Sequence, residues 1–251
     1  MKKNSLLGGV IGLWTLLVWP YLATAADADY AREKKWADEV VPGLVVGDPV
    51  YLETPRGHHK FLTLFTPVAG SDKALVVVHG MGIHPDWGMV GTLRTELADR
   101  GYTTLSIQMP ILAADAKGED YPPTFPEAAE RIAEAVAFLK AKGYTQIAVV
   151  SHSMGSRMSL EYFTGQPDPA VKAWASLGPS FKGYASVKLP ILDLYGDNDL
   201  PAVLGNAGTR KSSLANPASK QVVVAKTDHF FTGHEGEMVT SVADFLSATL
   251  K

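Results

Sequence analysis

The chain has 251 residues, of which 46% are hydrophobic, and its formal net charge at pH 7 is −3. That length and apolar fraction fit one α/β domain with a full core. The nearly balanced charge, with no Lys/Arg block, argues against nucleic-acid binding. The absence of cysteine excludes disulfides, thiolate metal sites and a cysteine nucleophile.

The first 25 residues have the layout of a bacterial secretory signal peptide. Lys2 and Lys3 provide a positive start, residues 6–19 form an apolar stretch, and Ala23-Thr24-Ala25 fits the small-residue rule for cleavage. The alternative is an uncleaved membrane anchor, but an apolar stretch of about 14 residues is shorter than the roughly 20 that span a bilayer. We therefore expect cleavage after Ala25, a periplasmic or secreted protein without a stable membrane anchor, and one domain over residues 26–251.

The chain after the signal peptide begins with a leading arm and a hairpin. Residues 26–41 are polar with a helical tendency, and residues 44–53 and 58–67 have the composition of strands. Thr54-Pro55-Arg56-Gly57 between the strands predicts a turn, so we expect an antiparallel hairpin. Two histidines, 58 and 59, would point to opposite faces of the second strand, and we expect both at the surface.

Strands then alternate with helices to the end of the chain. Strands are expected at 74–78, 102–109, 147–150, 171–177, 189–195 and 221–225, helices at 89–100, 127–142, 154–163, 203–214 and 235–250, and a long loop at 111–126. This alternation predicts an α/β fold of three layers, α/β/α, whose sheet is mostly parallel with the hairpin added in antiparallel fashion. Only residues 180–188 separate two of the later strands, so we expect no large lid.

One serine stands at a strand–turn–helix junction. The apolar run 147–150 ends in Ser151-His152-Ser153-Met154-Gly155, and a helix is expected from Met154. A nucleophile elbow has the pattern G-x-S-x-G, which here becomes S-x-S-x-G with Ser153 at the apex. The alternative for Ser153 is an ordinary helix N-cap. Ser151 lies before the turn and is the weaker candidate nucleophile.

Three other polar segments also follow directly on predicted strands: His79-Gly80-Met81-Gly82, residues 196–199 and His229. The carboxyl ends of parallel strands share one edge, where open α/β sheets bind ligands. A serine hydroxyl needs a base, and a histidine base needs a carboxylate. We therefore expect Ser153 as nucleophile, His229 as base, an aspartate of the 196–199 loop as acid, and the backbone N–H groups of Met81 and Met154 as oxyanion donors.

The remaining histidines have structural interpretations. We expect His79 to order the glycine turn, His152 to pack behind the elbow, and His234 to lie in solvent or at a helix start. A metal site of His79, His84 and Asp86 is the alternative, but its loop spacing is not diagnostic, so no metal is predicted.

Several large apolar side chains lie in or near loops at the same edge: Trp87, Met109, Leu112, Tyr121, Phe125 and Phe230. Such residues are often simply core, but several around one serine favour an apolar pocket. We expect all of them except Leu112 to contact a small, ester-like substrate rather than a highly charged one.

The glycine turn at 79–82, the elbow at 151–155, the acid loop at 196–199 and the segment around His229 together resemble the α/β-hydrolase superfamily. The resemblance covers nearly the whole chain after residue 25. Within it, the chain is most similar to lidless esterases and dienelactone-hydrolase-type members, and to exported bacterial hydrolases with HGMGxHPDW-like and SHSMG-like strings. The resemblance implies an α/β-hydrolase fold, hydrolysis of an ester, amide or thioester, and no cofactor. Because the superfamily's acid usually follows its strand-ending glycine by three residues, it implies Asp199 rather than Asp197 or the strand residue Asp193.

The chain departs from the superfamily pattern at Ser151, where the first glycine of the elbow is expected. A methylene and a hydroxyl then stand where the turn is most crowded. This departure motivates the alternative of a binding module with weak or lost catalysis on a hydrolase scaffold, since a fold alone does not establish activity.

Overall fold

The computed structural model describes residues 28–251. The predicted signal peptide lies outside the described residues. Residues 28–251 include no helix that is both long and apolar enough to cross a membrane.

The described chain begins with helix α1, Tyr30–Val40. The side chain of Asp29 caps it by accepting a hydrogen bond from the Arg32 N–H at 3.0 Å. Strands β1, Asp48–Glu53, and β2, Lys60–Thr66, form the predicted antiparallel hairpin.

The hairpin turn is longer than the sequence predicted, because β2 begins only at Lys60. His58 lies in the turn with φ 50° and is exposed. His59, also expected at the surface, is only partly exposed. Its ring stacks on Tyr30 at a centroid distance of 3.6 Å, and its Nε2 lies 3.3 Å from a carboxylate oxygen of Glu33.

The rest of the chain alternates strands with helices, as predicted. The elements are β3 Lys73–Val78, α2 Gly88–Asp99, β4 Thr103–Ile107, α3 Phe125–Ala141, β5 Gln146–His152, α4 Met154–Thr164, β6 Val171–Leu177, β7 Ile191–Gly196, α5 Pro201–Ser212, β8 Lys220–Val224 and α6 Glu235–Thr249. No boundary of these elements differs from its prediction by more than two residues. For example, β4 ends two residues early, and α3 begins two residues early, at Phe125, with Pro126 in its first turn.

The eight strands form one sheet in the order β1-β2-β4-β3-β5-β6-β7-β8. From β4 to β8 every neighbouring pair is parallel, whereas β2 pairs antiparallel with both β1 and β4. The hairpin therefore adds two strands beside β4, at one side of the parallel sheet. The carboxyl ends of the six parallel strands, β3 to β8, all lie along the same edge of the sheet.

Alternation along the strands divides the core between two faces of the sheet. On β3, Val76 and Val78 pack with side chains of α3 and α4, whereas Leu75 and Val77 pack with side chains of α2 and α6. All four are essentially inaccessible to solvent, and burial of such a side chain contributes about 1.5–3 kcal/mol. The sheet is thus covered on both faces, which confirms the three-layer α/β/α prediction and fixes the strand ends from which the site is built.

Candidate active site

Ser153 stands between β5 and α4 in a strained backbone conformation. Its φ is 55° and its ψ is −119°, a region that side-chain-bearing residues rarely adopt. Packing enforces this turn. A Cβ on Gly155 would collide with the main-chain oxygens of His79 and Val78, so only glycine fits there. The elbow and the turn after β3 therefore pack backbone against backbone.

Three side chains from three strand ends form a hydrogen-bonded chain. Ser153 Oγ lies 2.8 Å from His229 Nε2, and His229 Nδ1 lies 2.5 Å from Asp199 Oδ1. Asp199 and His229 are buried, and the Leu200 N–H also donates to Asp199 Oδ1 at 2.6 Å. The carboxylate can hold the Nδ1–H tautomer of the ring and leave Nε2 to accept a proton from the serine.

Two glycines, Gly178 and Gly196, leave the space that the hydrogen-bonded side chains need. A Cβ on Gly178, which follows β6 with φ 55°, would come within 3.0 Å of the His229 ring. A Cβ on Gly196 would collide with the main-chain oxygens of Thr227 and Asp228, just before the histidine. Gly178 is not among the residues that the sequence patterns single out. Its signal in the sequence is a glycine near the end of a strand, as with Gly80 after β3 and Gly196 at the end of β7.

The other two aspartates near the acid loop have different partners. Asp197 Oδ1 accepts only a 3.3 Å bond from the Thr227 N–H. Asp193 lies inside β7, fully buried, and pairs with Arg210 at 3.0 Å. Of the three carboxylates, the one that reaches His229 is Asp199.

His79 is a buried residue of the turn after β3. Its Nδ1–H donates to the Gly80 oxygen at 2.8 Å, and its Nε2 accepts from the Met109 N–H at 2.9 Å, with the Gln108 amide nitrogen 3.0 Å away. Burial lowers the pKa of His79 to about 3. The ring is therefore neutral at neutral pH, with both nitrogens committed to the protein.

His152 lies behind the elbow, as predicted, and its ring centroid is 4.7 Å from that of His229. Its Nε2 donates to the His229 main-chain oxygen at 2.9 Å. Burial lowers the pKa of His152 to about 3, and the nearby His229 acts in the same direction. The neutral ring holds the backbone of the histidine that contacts Ser153.

The residues of the alternative metal site have other partners. Asp86 pairs with Arg94 at 2.6 Å, and His84 Nδ1 accepts from the Asp86 N–H at 3.3 Å. Within residues 28–251, no three His, Asp or Glu side chains are grouped as metal ligands would be. His234 is the N-cap of α6, and its ring contacts Glu237 at 3.1 Å.

The two backbone N–H groups expected as oxyanion donors lie on the two segments that meet at the elbow. Met154 is the first residue of α4, where an N–H has no partner within the helix. Met81 lies in the turn that packs against the elbow. Within the described part of the chain, neither N–H donates to a protein acceptor.

The five residues expected to contact substrate separate into two groups. Trp87 and Phe230 form an edge-to-face pair with ring centroids 5.3 Å apart and are 36% and 42% exposed. The Phe230 ring also lies 5.3 Å from the His229 ring. Met109 and Tyr121 are at most 1% exposed and belong to the core under α3. Phe125 is partly buried against the same core, with the Arg157 guanidinium over its ring.

Ser151 has a partner that the motif could not reveal. Its Oγ accepts from the indole N–H of Trp174 at 2.8 Å and lies 3.0 Å from Ser156 Oγ. Trp174 is fully buried on the neighbouring strand β6. The hydroxyl thus points into the core and satisfies a buried donor.

We expect Ser151→Ala to lower the free energy of unfolding by about 1–3 kcal/mol, because it leaves a buried indole N–H without an acceptor. Urea unfolding followed by tryptophan fluorescence measures this loss. Ser159→Ala is the matched control, since Ser159 is equally buried but its Oγ has no partner. Equal losses in the two variants would contradict a specific role for the Trp174 bond.

Comparisons with known proteins bear on the fold. Residues 53–127 match the family model described as "Protein of unknown function (DUF3530)". No curated protein matches the sequence. The matched family segment includes the turn after β3 and ends before the elbow.

Solved structures of hydrolases and esterases share this architecture. A dienelactone hydrolase from Anabaena variabilis is 18% identical with a TM-score of 0.67, covering 81% of this chain and 99% of that one. A cold-adapted esterase from an Arctic intertidal metagenomic library is 18% identical with a TM-score of 0.67, covering 81% and 93%. An esterase from Pyrococcus furiosus is 15% identical with a TM-score of 0.63, covering 82% and 98%. The chain has the α/β-hydrolase fold.

Proposed function

We propose that the protein is a serine hydrolase that cleaves a carboxylic ester through an acyl-enzyme, with amides and thioesters as related candidate substrates. The observation that carries the proposal is the chain from Ser153 Oγ to His229 Nε2 at 2.8 Å and from His229 Nδ1 to Asp199 at 2.5 Å. Hydrolase and esterase names among the proteins of like fold support the same reaction class.

The proposed reaction uses each group in turn. Ser153 Oγ attacks the substrate carbonyl while His229 Nε2 takes the hydroxyl proton, and Asp199 stabilises the imidazolium. The N–H groups of Met81 and Met154 donate to the oxyanion. His229 returns the proton to the leaving oxygen, and the C–O bond breaks. Water then attacks the acyl-enzyme with His229 again as base, which releases the acid and restores Ser153.

The exposed aromatic pair supports an apolar substrate. Trp87 and Phe230 present ring surface to solvent, and Phe230 lies beside His229. Such surface binds apolar groups better than charged ones. We assign substrate contact to these two residues. We do not assign substrate contact to Met109 and Tyr121, because they have almost no exposed surface. We do not assign substrate contact to Phe125 either, because it packs against the core.

A fluorophosphonate probe tests the nucleophile directly. We expect the probe to label the wild-type protein and Ser153→Ala to abolish labelling, because only an activated serine reacts at a useful rate. Labelling is read by intact-protein mass spectrometry. Ser151→Ala is the matched control and should still label, since Ser151 Oγ points to Trp174. Adduct formation that persists in Ser153→Ala would sink the assignment.

No observation favours the binding module considered as an alternative. Its motivation was the altered elbow at Ser151, whose hydroxyl has a structural partner in Trp174. Turnover of short p-nitrophenyl esters discriminates the two functions, and no turnover with an intact fold would favour binding.

We also propose export to the periplasm or medium, on the sequence of residues 1–25 alone.

A further inference from the structure

We propose that helix α1 is a positioning element for the oxyanion turn, His79–Gly82, and that Arg32 is its principal contact. This inference rests on the proposed function, because it concerns the oxyanion donor Met81. Its residues lie outside the hydrogen-bonded chain of Ser153, His229 and Asp199.

The orientation of the Met81 N–H is set through the peptide unit it shares with the Gly80 carbonyl. That unit is planar and trans, so its N–H and C=O point in opposite directions. The Gly80 oxygen accepts the Nδ1–H of His79 at 2.8 Å. Whatever fixes the His79 ring therefore also fixes the direction of the Met81 N–H.

The His79 ring is in turn connected to α1 through buried groups. Its Nε2 accepts from the Met109 N–H at 2.9 Å. The Gln108 carbonyl, in the same peptide unit as that N–H, accepts from Arg131 Nη1 at 2.9 Å. Arg131 is fully buried and pairs with Glu33 of α1 at 2.9 and 3.1 Å. A charged pair at this depth, with its hydrogen bonds satisfied, holds a single geometry.

A second connection from α1 reaches the other end of the turn. Arg32 donates from Nη1 to the Leu112 oxygen at 2.6 Å and from Nη2 to the Gly82 oxygen at 3.4 Å. Its guanidinium lies 4.6 Å from the centroid of the Trp36 ring, which contacts His84 edge-on at 5.5 Å. The carbonyls on both sides of Met81 are thus held by groups that depend on α1.

Arg32→Met is the test, because methionine keeps apolar contact with Trp36 and removes both hydrogen bonds. Removal of an oxyanion donor costs about 10²–10³ in kcat, and a displaced donor should cost less. We expect kcat for p-nitrophenyl esters to fall about tenfold, with KM changed by less than about twofold, since misplacement acts in the transition state. Arg32→Lys keeps one donor and should recover part of kcat.

Lys35→Met is the matched control on the same helix, because Lys35 is exposed and has only a 3.9 Å contact to Glu39. Its kcat should equal that of wild type. Thermal unfolding of every variant separates a positioning effect from loss of fold. A wild-type kcat in Arg32→Met, or an equal fall in Lys35→Met, would overturn the inference while labelling of Ser153 left the proposed function intact. A wild-type protein that neither labels nor turns over would overturn both.

Discussion

Replacing Asp199 with asparagine should lower kcat for ester hydrolysis about 10⁴-fold, the loss known for the equivalent change in a serine-protease triad. Asp199 Oδ1 is 2.5 Å from His229 Nδ1 and is the only carboxylate oxygen that bonds to that ring in the described chain. An amide can present its own N–H to Nδ1, which favours the tautomer with the proton on Nε2. That tautomer cannot accept the proton of Ser153, so the nucleophile is not activated. Steady-state kinetics on a p-nitrophenyl ester gives the ratio.

Asp197→Asn is the matched control for this prediction, because it makes the same chemical change two residues away in the same loop. Asp197 accepts one 3.3 Å bond from the Thr227 N–H, which an asparagine oxygen can also accept. We expect kcat within about twofold of wild type, as for most substitutions outside the reacting groups. A large loss in Asp197→Asn with a small one in Asp199→Asn would reverse the assignment of the acid.

Acidification from pH 7.5 to 5.0 should lower the free energy of unfolding, and two buried histidines should account for about 4 kcal/mol of the loss. His79 and His152 are buried as neutral rings, and burial lowers the pKa of each from 6.5 to about 3. The unfolded chain therefore binds two more protons than the folded chain once the pH is below about 6.5. The stabilisation is fully present above that pH and is lost as the pH falls towards 3, at about 1.4 kcal/mol per pH unit for each histidine. Urea unfolding at a series of pH values measures the slope.

Two histidine variants test the source of this slope. His152→Asn removes one of these two buried rings and should reduce the slope by about 1.4 kcal/mol per pH unit, whatever it does to stability at pH 7.5. His58→Asn changes a side chain that is 81% exposed and should leave the slope unchanged. A free energy of unfolding that stays flat down to pH 5.0 would show that the rings are not buried in the neutral form.

The strand–helix alternation and the strand-end positions were readable from sequence for a physical reason. Parallel strands buried on both faces must be apolar throughout, so β3 and β5 stand out as short β-branched runs. The residues after them are polar or small because they leave the core at the sheet edge. The order of elements along the chain therefore predicts that Ser153 and His229 lie at the same edge of the sheet. It does not predict the distance between their side chains.

The exposure of the loop side chains was harder to predict, because the sequence does not say which way a loop residue faces. Met109 and Tyr121 follow the same strand, and both turn inward under α3. Trp87 and Phe230 look similar in sequence, yet both turn outward. The difference depends on tertiary packing, to which local composition gives no access.

Helix α1 shows the same limit for charged groups. Its composition predicted only a polar arm, since Glu33 is one of several acidic residues there. Its carboxylate nevertheless pairs with Arg131, 98 positions later in the chain. A buried ion pair between distant segments has no periodicity to reveal it, whereas its consequence for the oxyanion turn becomes visible once the contacts are known.

The backbone contact at Gly155 bears on how this protein could acquire new substrates. The elbow and the oxyanion turn meet there without a side chain between them, so a change of angle in one must be transmitted to the other. We therefore expect that mutations which shift the backbone of either segment disturb the positions of the groups on both. If the proposed function holds, we expect substrate preference to change through the exposed rings of Trp87 and Phe230, where a library can alter shape and polarity without disturbing Ser153.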